Sequence, residues 1–309
     1  TLLVGNGPPT TSAAHPFTGD PAWIAYYGAR GEGIGLIHPD GTGDHRIAGD
    51  VREDQLLADW SPDGKTLVFT TRGGGETEPL FVYDLATDSS HQLFACDDPC
   101  IGDDEPAYSP DGTRVAFIRA LAPFVDDAAH QGGEVPSDCG VWIGDVASGA
   151  VSQVTSNTDP PCDREYNPRW SPDGTRFAYW RDPYQDGQPT GTAVYVINAD
   201  GTDERRLTDP AMFAGEPDWS PDGEWIVFDT FPLNEFGCCP VSNLYRMHAD
   251  GSGVEQLTHF ASGEPRATQP RYSPDGRWII FTAATPDSRS LWAIPAGGGE
   301  PIVLAPGGV

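Results

Sequence analysis

The sequence almost lacks lysine. Lys65 is the only one, and the 18 Lys and Arg residues face 46 Asp and Glu residues, which gives a formal net charge of −28. Nucleic acids and anionic membranes are bound through clustered Lys and Arg, so this composition argues against both as partners. A surface so acidic and poor in lysine is also typical of salt-adapted proteins, where charge serves solvation instead of binding. The composition alone leaves both interpretations open.

Long apolar stretches are missing too. No run approaches the ~18 apolar residues that a membrane-spanning helix needs, so no membrane insertion is predicted. No helical period is sustained for ten residues, whereas 37 Gly and 30 Pro punctuate the chain. The chain begins at Thr1 without a charged and apolar leader, and we expect that any export signal has been removed or was never there.

What the sequence does contain is a repeated unit. The segment Asp59-Trp60-Ser61-Pro62-Asp63-Gly64, followed by Leu67-Val68-Phe69, returns four more times in closely similar form. The serines of the five copies are Ser61, Ser109, Ser171, Ser220 and Ser273, which lie 48, 62, 49 and 53 residues apart. A period near fifty indicates a repeat architecture.

The chemistry of one unit predicts four short strands. Pro presets φ for a tight turn, Asp bonds its own backbone and Gly takes the positive φ that closes the turn. An aromatic-bearing strand precedes this turn, and a buried apolar strand follows it. A second apolar run, a small Asp-Gly turn and a polar strand complete the unit, as in 194–208. Four antiparallel strands per unit make a propeller blade.

These units resemble the repeats of TolB-type β-propellers, which are related to the WD-repeat class. Five clear copies and one worn copy, which contains Trp23 and His38, cover nearly the whole chain. We therefore predict an all-β fold, a single six-bladed β-propeller domain over 1–309. A seven-bladed ring is the alternative and would need another repeat. The predicted blades span approximately 15–48, 55–94, 105–154, 165–207, 216–257 and 269–304.

The two ends of the ring are harder to place. The innermost strand of the first blade is expected around His15-Pro16-Phe17. The last blade is predicted to contain all four of its strands, ending in 301–304, so closure without a swapped strand is expected. Leu2-Leu3-Val4 is interpreted as an added outer strand of either terminal blade.

All long, non-repeating segments fall on one face of the predicted disc. In a blade, the turns after the first and third strands share one face, and the remaining connections share the other. The turns after the first and third strands are short here, and we call the face that carries them the plain face. The opposite face, which carries the long connections, is the elaborated face. Loops that vary on a rigid scaffold usually carry function. The elaborated segments are 96–105, 119–139, 159–165, 181–192, 209–216, 231–242 and 259–269.

All six cysteines lie on the elaborated face, which favours an oxidising, exported setting. We predict three disulfides, which are Cys96–Cys100, Cys139–Cys162 and the adjacent Cys238–Cys239. Free thiols or another pairing are the alternatives, since six cysteines allow about 15 connectivities. A zinc site is less well supported, because Cys96 and Cys100 have no second pair at ligand spacing.

Acidic residues precede the first strand of successive blades. The group comprises Asp103, Asp104, Glu105, Asp163, Glu165, Glu216 and Gln269, with 53–55 before the second blade. First strands line the central channel, so these side chains should converge at its mouth and repel one another unless a cation intervenes. Calcium suits such oxygen ligands. The alternative is that each carboxylate accepts backbone N–H groups at the start of its strand.

The predicted sites follow from this convergence. The metal candidates are Asp103, Asp104, Glu105, Glu165 and Glu216, and the ligand-binding candidates are Glu105, Asp163, Glu165, Tyr166, Glu216 and Gln269. The residue before the aromatic of the first strand is Asp59, Ala107, Arg169, Asp218 and Arg271 in turn, and the last three alternate in sign between neighbouring blades. We interpret these as ion pairs that join blades, with a substrate role as the alternative.

The sequence favours a binding module over an enzyme. It contains no G-x-S-x-G elbow and no room for the α/β domain that accompanies the propeller in prolyl-oligopeptidase relatives. Some propellers that resemble this one are polysaccharide lyases, which makes a lyase the alternative prediction. Its catalytic set would be His15, Arg164 and Tyr166. An acidic mouth would repel a uronate substrate unless calcium bridged the two.

The leading hypothesis is an exported, non-enzymatic recognition propeller, secreted or in a bacterial envelope, and monomeric. Carboxylates together with aromatic rings suit a protein, a basic peptide, an amine or a sugar. The aromatic candidates on the elaborated face are Phe124, Tyr166, Tyr184, Phe213, Phe231 and Phe236. Packing of the loops against each other is the alternative role, and we favour it for Phe231 and Phe236.

Overall fold

In the computed structural model of the chain, every Ser-Pro-Asp-Gly segment closes a hairpin. The five turn glycines have φ between +67° and +73°. Each serine Oγ donates to the aspartate Oδ1 at 2.5 to 2.8 Å. The backbone N–H five residues after the serine donates back to Oγ at 2.9 to 3.0 Å. The turn is therefore satisfied within its own residues, as its sequence predicts.

The structure describes residues 3–4, 23–27, 33–38, 42–43, 45–49, 51, 54–72, 77–127, 133–155, 165–182, 184–185, 188–189, 191–231, 241–262, 265–285 and 289–305. Within these ranges the strands form six four-stranded antiparallel sheets arranged in a ring, together with one small two-stranded hairpin. The predicted six-bladed propeller is confirmed.

The blades follow one another along the chain. Blade 1 contains β1 (Leu3–Val4), β2 (Ile24–Tyr27), β3 (Ile34–Ile37) and β4 (His45–Arg46); blade 2 contains β5 (Asp54–Trp60), β6 (Thr66–Arg72), β7 (Leu80–Asp84) and β8 (Ser89–Gln92). Blade 3 contains β9 (Cys100–Tyr108), β10 (Arg114–Asp127), β11 (Gly133–Asp145) and β12 (Val151–Gln153).

Blades 4 to 6 repeat the arrangement. Blade 4 contains β13 (Glu165–Trp170), β14 (Arg176–Arg181), β17 (Ala193–Asn198) and β18 (Arg205–Arg206), with β15 (Tyr184–Gln185) and β16 (Gln188–Pro189) forming the small hairpin. Blade 5 contains β19 (Ala214–Trp219), β20 (Trp225–Thr230), β21 (Asn243–His248) and β22 (Glu255–Gln256), preceded by a 3-10 turn at Pro210–Met212. Blade 6 contains β23 (Arg266–Tyr272), β24 (Trp278–Ala284), β25 (Arg289–Pro295) and β26 (Ile302–Ala305).

The first blade corrects one prediction. Leu3 pairs with Ala25 and Val4 with Ile24, so β1 is the innermost strand of blade 1 and not an added outer strand. The segment around His15, which was expected to supply that strand, lies outside the described residues. The short apolar run of β1 carries no turn motif of its own, and its partner strand lies some twenty residues away, so the repeat pattern gave no sign of the pairing.

Part of the elaborated face is more regular than predicted. The long segment 119–139 of blade 3 is largely a continuation of β10 and β11, whose pairing extends from Arg114 and Asp145 out to Asp127 and Gly133. The register shifts between Leu121 and Phe124, where Pro123 interrupts the alternation. Extended pairing satisfies backbone groups that an irregular loop would leave to water.

Apolar side chains between adjacent blades form the core. One cluster joins Ala107 and Val141 of blade 3 to Trp170, Phe177 and Tyr195 of blade 4. The indole N–H of Trp170 donates to Ala107 O, and that of Trp219 donates to Arg169 O, both at 3.1 Å. These bonds join the inner strand of one blade to that of the next.

The ring closes by side-chain packing. Ile24 of blade 1 lies against Ile280, Leu291 and Ala293 of blade 6. Among the described strands, each blade draws its four strands from one continuous segment of the chain, so none of them is exchanged at the closure, as expected. In the part of the chain that the structure describes, no helix has the length and apolar character needed to cross a bilayer.

Candidate functional site

The inner strands of blades 2 to 6 share a bulge four residues before the turn serine. Pairing with the second strand shifts register at this position in every one of these blades. The bulge residues have φ of +44° to +57°, an uncommon conformation for side chains other than Gly that concentrates at functional sites. They lie at the channel end that opens on the elaborated face. We call them the mouth ring: Leu57, Glu105, Asn167, Glu216 and Gln269.

Asn167 links two carboxylates of the mouth ring. Its backbone N–H donates to Glu105 Oε2, and its Nδ2 donates to Glu216 Oε2 at 2.5 Å. Arg271 Nη2 donates to Asn167 Oδ1 at 3.3 Å and lies 3.9 Å from Glu216 Oε2. The carboxylates of blades 3 and 5 therefore converge on the asparagine of blade 4.

A further carboxylate, Asp229, faces this group from the second strand of blade 5. Its side chain is only 1% exposed. Oδ2 accepts the backbone N–H of Gln269 at 3.1 Å, whereas Oδ1 has no hydrogen-bond partner. Burial, followed by the nearby charge of Glu216, raises the pKa of Asp229 well above its ordinary value. Sequence reasoning missed this residue, because its position becomes meaningful only when blades 5 and 6 pack together.

Crowding of like charges has the same effect on Glu105. Burial and the carboxylates of Asp104 and Glu216 raise the pKa of Glu105 to about 8. Near neutral pH the fully ionised mouth is therefore unfavourable. A cation placed among these oxygens would stabilise their charged forms.

The channel level beneath the mouth ring is balanced in charge. Arg169 Nη1 lies 3.9 Å from Asp59 Oδ1. Asp59 accepts the backbone N–H of Tyr108 at 2.7 Å, and Asp218 accepts that of Tyr272 at 2.8 Å, in each case from the following blade. Burial raises the pKa of Asp59 to about 6, and Arg169 opposes the shift. Among the described residues, the predicted pairing of Asp218 with Arg169 and Arg271 is not formed: Arg169 pairs with Asp59 of blade 2 and Arg271 with Glu216 of blade 5. Asp59 and Asp218 join adjacent blades through backbone N–H groups instead.

The predicted acidic group divides into two kinds of carboxylate. Asp103 accepts two hydrogen bonds from Arg119, at 2.7 and 2.8 Å, and Glu165 accepts one from Arg181 at 2.5 Å. Both acids lie six residues before a turn serine, and both arginines lie ten residues after it. Each acid therefore stands directly opposite its arginine on the neighbouring strand of the same blade. These two predicted metal candidates are paired with arginines, of which Arg119 is buried and Arg181 half-buried, while Glu105 and Glu216 both contact Asn167 at the mouth. Asp104 accepts the Thr70 hydroxyl at 3.0 Å.

Spacing from the serine distinguishes these positions. Glu105, Glu216 and Gln269 were predicted at the level that they occupy. In blade 4 the equivalent residue is Asn167, not the predicted Glu165, which belongs two residues earlier with Asp103. Counting back from Ser171 would have identified Asn167.

An aromatic cluster adjoins the mouth ring. Tyr166 stacks on Trp180 with ring centroids 4.2 Å apart, and Phe231 meets Trp180 edge-on at 5.5 Å. A Cβ at Gly215 would lie 2.6 Å from the Phe231 ring and 3.4 Å from Trp180. Glycine next to Glu216 therefore lets these two rings pack against the inner strand. Trp180 was not predicted.

Several predicted residues cannot be placed. His15, Asp163, Arg164 and Phe236 lie outside the described residues, as do Cys162, Cys238 and Cys239. For Phe124, Cys139 and Tyr184 only the backbone is described. The alternative catalytic set is thus represented by Tyr166 alone.

Cys96 and Cys100 form a disulfide, as predicted. Among the described residues, the one group of three Cys, His, Asp or Glu side chains with ligand atoms within 4.8 Å of one another is Cys96, Cys100 and Asp103. The disulfide removes its thiolates as metal ligands. In the same part of the chain, no three mouth carboxylates approach each other that closely.

A ring of six four-stranded antiparallel blades defines a six-bladed β-propeller. The family model described as the TolB beta propeller domain matches residues 135–290, and the chain belongs to this family. The uncharacterised peptidase YuxL of Bacillus subtilis is 28% identical over 208 residues, which cover 58% of this chain and 29% of that protein. The chain therefore spans less than a third of this relative.

Solved structures with the same fold differ in what they do. TolB from Acinetobacter baumannii superposes with a TM-score of 0.63 at 18% identity, covering 89% of this chain and 58% of that one. An oligogalacturonate lyase in complex with manganese gives a TM-score of 0.61 at 17% identity, covering 92% and 73%. At these identities the likeness concerns the fold alone.

Proposed function

We propose that this chain is an exported, disulfide-stabilised recognition propeller without enzymatic activity, which binds a protein, peptide or small ligand at the mouth ring. The observation that carries the proposal is the convergence of Glu105 and Glu216 on Asn167, with Asp229 beside them. Carboxylates gathered from blades 3 and 5 raise the free energy of the unliganded mouth. A scaffold without a ligand has no need of such an arrangement.

The setting supports the same proposal. The Cys96–Cys100 disulfide is typical of an oxidising compartment, which favours a secreted or periplasmic location. The likeness to TolB favours a protein-binding role by analogy of fold. The mouth lies on the face that carries the long connections, where a large partner can reach it.

Paired charge-neutralising variants test this function. Glu105→Gln with Glu216→Gln removes two charges from the mouth, and Glu224→Gln with Glu300→Gln removes two from exposed turns of the plain face. Binding to an array of immobilised peptides that range from acidic to basic would be measured for both. We expect the first pair to abolish binding and the second to leave it unchanged. Equal loss in both pairs, or unchanged binding in both, would contradict the assignment.

Calcium is a second proposed occupant of the mouth. Since Asp103 and Glu165 are held by arginines, Asp104, Glu105 and Glu216 are the carboxylates that we assign to it. These three do not all lie within 4.8 Å of one another, so backbone or water oxygens would have to complete the coordination shell. Metal content by elemental mass spectrometry, with melts in calcium and in chelator, tests this assignment. Stoichiometric calcium and a melt lowered by chelator would support it; absence of both would remove calcium from the proposal.

Lyase activity is the alternative function. The fold shared with the manganese-bound oligogalacturonate lyase and the position of Tyr166 beside the mouth favour testing it. The purified protein would be incubated with oligogalacturonate and manganese, and the unsaturated product followed by its absorbance. Turnover that disappears when His15, Arg164 and Tyr166 are replaced together would reject the non-enzymatic proposal.

A further inference from the structure

We propose that the mouth receives a single arginine or lysine side chain of a peptide, with its charged head between Glu105, Glu216 and Asp229 and its alkyl stem along Trp180. This inference rests on the proposed recognition function and specifies the chemical group that is recognised. The ligand class is an organic cation that donates N–H bonds in several directions.

Each of the two mouth glutamates is held by a hydrogen bond to one of its carboxylate oxygens, and its other oxygen can accept a bond from a ligand. Asn167 fixes Glu105 Oε2 and Glu216 Oε2. Neither Oε1 atom receives a hydrogen bond from the residues that the structure describes. Both carboxylates are half-buried, so their outer oxygens accept bonds from a ligand without first having to be ordered.

Asp229 gives a second, independent reason to expect a ligand at the mouth, because one of its oxygens has no hydrogen-bond partner among the described residues. A carboxylate oxygen buried without a partner costs at least about 1–3 kcal/mol. Asp229 Oδ1 is such an atom, and its other oxygen bonds the backbone of Gln269 in the mouth ring. A cationic N–H donor that enters the mouth would satisfy it.

The aromatic cluster suits the stem of a long cationic side chain. Trp180 and Phe231 pack over Gly215, directly next to Glu216 in the chain. Arginine and lysine carry apolar stems that cover such surfaces while the head stays polar, and a cation near an aromatic face gains further stabilisation.

The spacing of the acids favours an organic cation over a metal ion. A metal needs several ligand oxygens within a few Å of one centre, and no three carboxylates of the described mouth meet that condition. A guanidinium carries five N–H donors and an ammonium three, which can reach acceptors that are spread over blades 3 and 5.

Short blocked peptides test the inference on the full chain. The probes are acetyl-Ala-Arg-Ala-amide and acetyl-Ala-Lys-Ala-amide, each compared by calorimetry with its neutral isostere that contains citrulline or acetyl-lysine. We expect each cationic peptide to bind at least about tenfold more tightly than its isostere, because a hydrogen bond to a charged group is worth about 1.5–3 kcal/mol. Asp229→Asn should reduce the affinity about tenfold or more, and the plain-face pair Glu224→Gln with Glu300→Gln should leave it unchanged.

The outcomes separate this inference from the function on which it rests. Equal affinity for charged and neutral peptides, lost in the mouth pair Glu105→Gln with Glu216→Gln, would overturn the cation and keep the recognition site. Stoichiometric calcium that excludes the cationic peptides would replace the organic cation with a metal. If Asp229→Asn melts like the parent protein and binds the peptides equally well, its assigned role is wrong. Absence of binding to every peptide, here and on the array, would remove both proposals.

Discussion

The two ends of the inner strands carry carboxylates with opposite behaviour. At the plain-face end, Asp63 and Asp111 accept hydrogen bonds from residues within their own turns, which lowers the pKa of each to about 2. At the mouth, residues from several blades are forced together, and the pKa of Glu105 rises to about 8. Carboxylates that are satisfied within one turn keep a low pKa, whereas the buried Glu105, with the carboxylates of Asp104 and Glu216 nearby, has a raised one.

The largest expected effect comes from breaking a buried pair at the mouth end. Asp103 is fully buried and Arg119 nearly so. Asp103→Ala would leave the guanidinium buried without its counter-ion and should lower the free energy of unfolding by about 3–5 kcal/mol, as measured by urea denaturation. The double variant Asp103→Leu with Arg119→Met should recover much of this loss. A single variant as stable as the parent would show that the pair is not structural.

The pH dependence of stability should distinguish Glu105 from the turn aspartates. Its pKa rises from an ordinary 4.5 to about 8 on folding, so the folded state holds this proton more tightly. The resulting stabilisation is complete below about pH 4.5 and is lost as the pH rises through 8. Glu105→Gln should therefore gain stability relative to the parent between pH 5 and pH 9, by an amount on the order of a few kcal/mol.

Urea midpoints at the two pH values measure this gain. The plain-face variant Glu224→Gln serves as the control and should follow the parent at both values. Parallel curves for Glu105→Gln and the parent would refute the raised pKa of Glu105.

A smaller effect is expected at the plain-face end. Ser109 is buried; its Oγ donates to Asp111 at 2.6 Å and accepts the Arg114 N–H at 2.9 Å. Ser109→Ala should cost about 1–3 kcal/mol through the two lost bonds, measured by chemical denaturation. Ser148→Ala removes a similar bond, to Asp145, in an exposed turn, and should cost less. Equal costs would mean that burial does not strengthen the repeated turn.

The smallest effect concerns the strands between the two ends. Trp219→Phe removes the indole bond to Arg169 O, and we expect a loss of about 1 kcal/mol beyond the change in packing. Trp60 holds the equivalent place in blade 2, but its Nε1 has no partner, so Trp60→Phe is the matched control. Thermal unfolding of the two variants would measure the difference, and a larger loss for Trp60→Phe would contradict the role given to these bonds.

The sequence predicted the fold well because the fold depends on local chemistry. Each Ser-Pro-Asp-Gly turn is complete within six residues, so five copies were enough to define the blades and their order. The role of Leu3–Val4 as an inner strand was not predicted, because it is defined only by long-range pairing with Ile24 and Ala25.

The site was predicted only in part, for the same physical reason. Glu105, Glu216 and Gln269 stand at a fixed distance from a serine, and the repeat located them. The partners of Asp103 and Glu165 lie across a strand pair at positions 119 and 181, a pairing visible only in register. Asp229 and Trp180 are brought to the mouth by contacts between blades, and the sequence of a single repeat does not predict such contacts.

At the bulge shared by the inner strands, the backbone conformation does not depend on which side chain is present. Five residues of different chemistry, from Leu57 to Glu216, occupy the same left-handed conformation in one ring. The conformation is therefore imposed by the strand and its turn, and the side chain can vary independently. In engineering terms, the mouth is a set of five positions on one fixed frame, so its side chains can be exchanged by substitutions that leave the hydrogen-bond ladders of the blades unchanged.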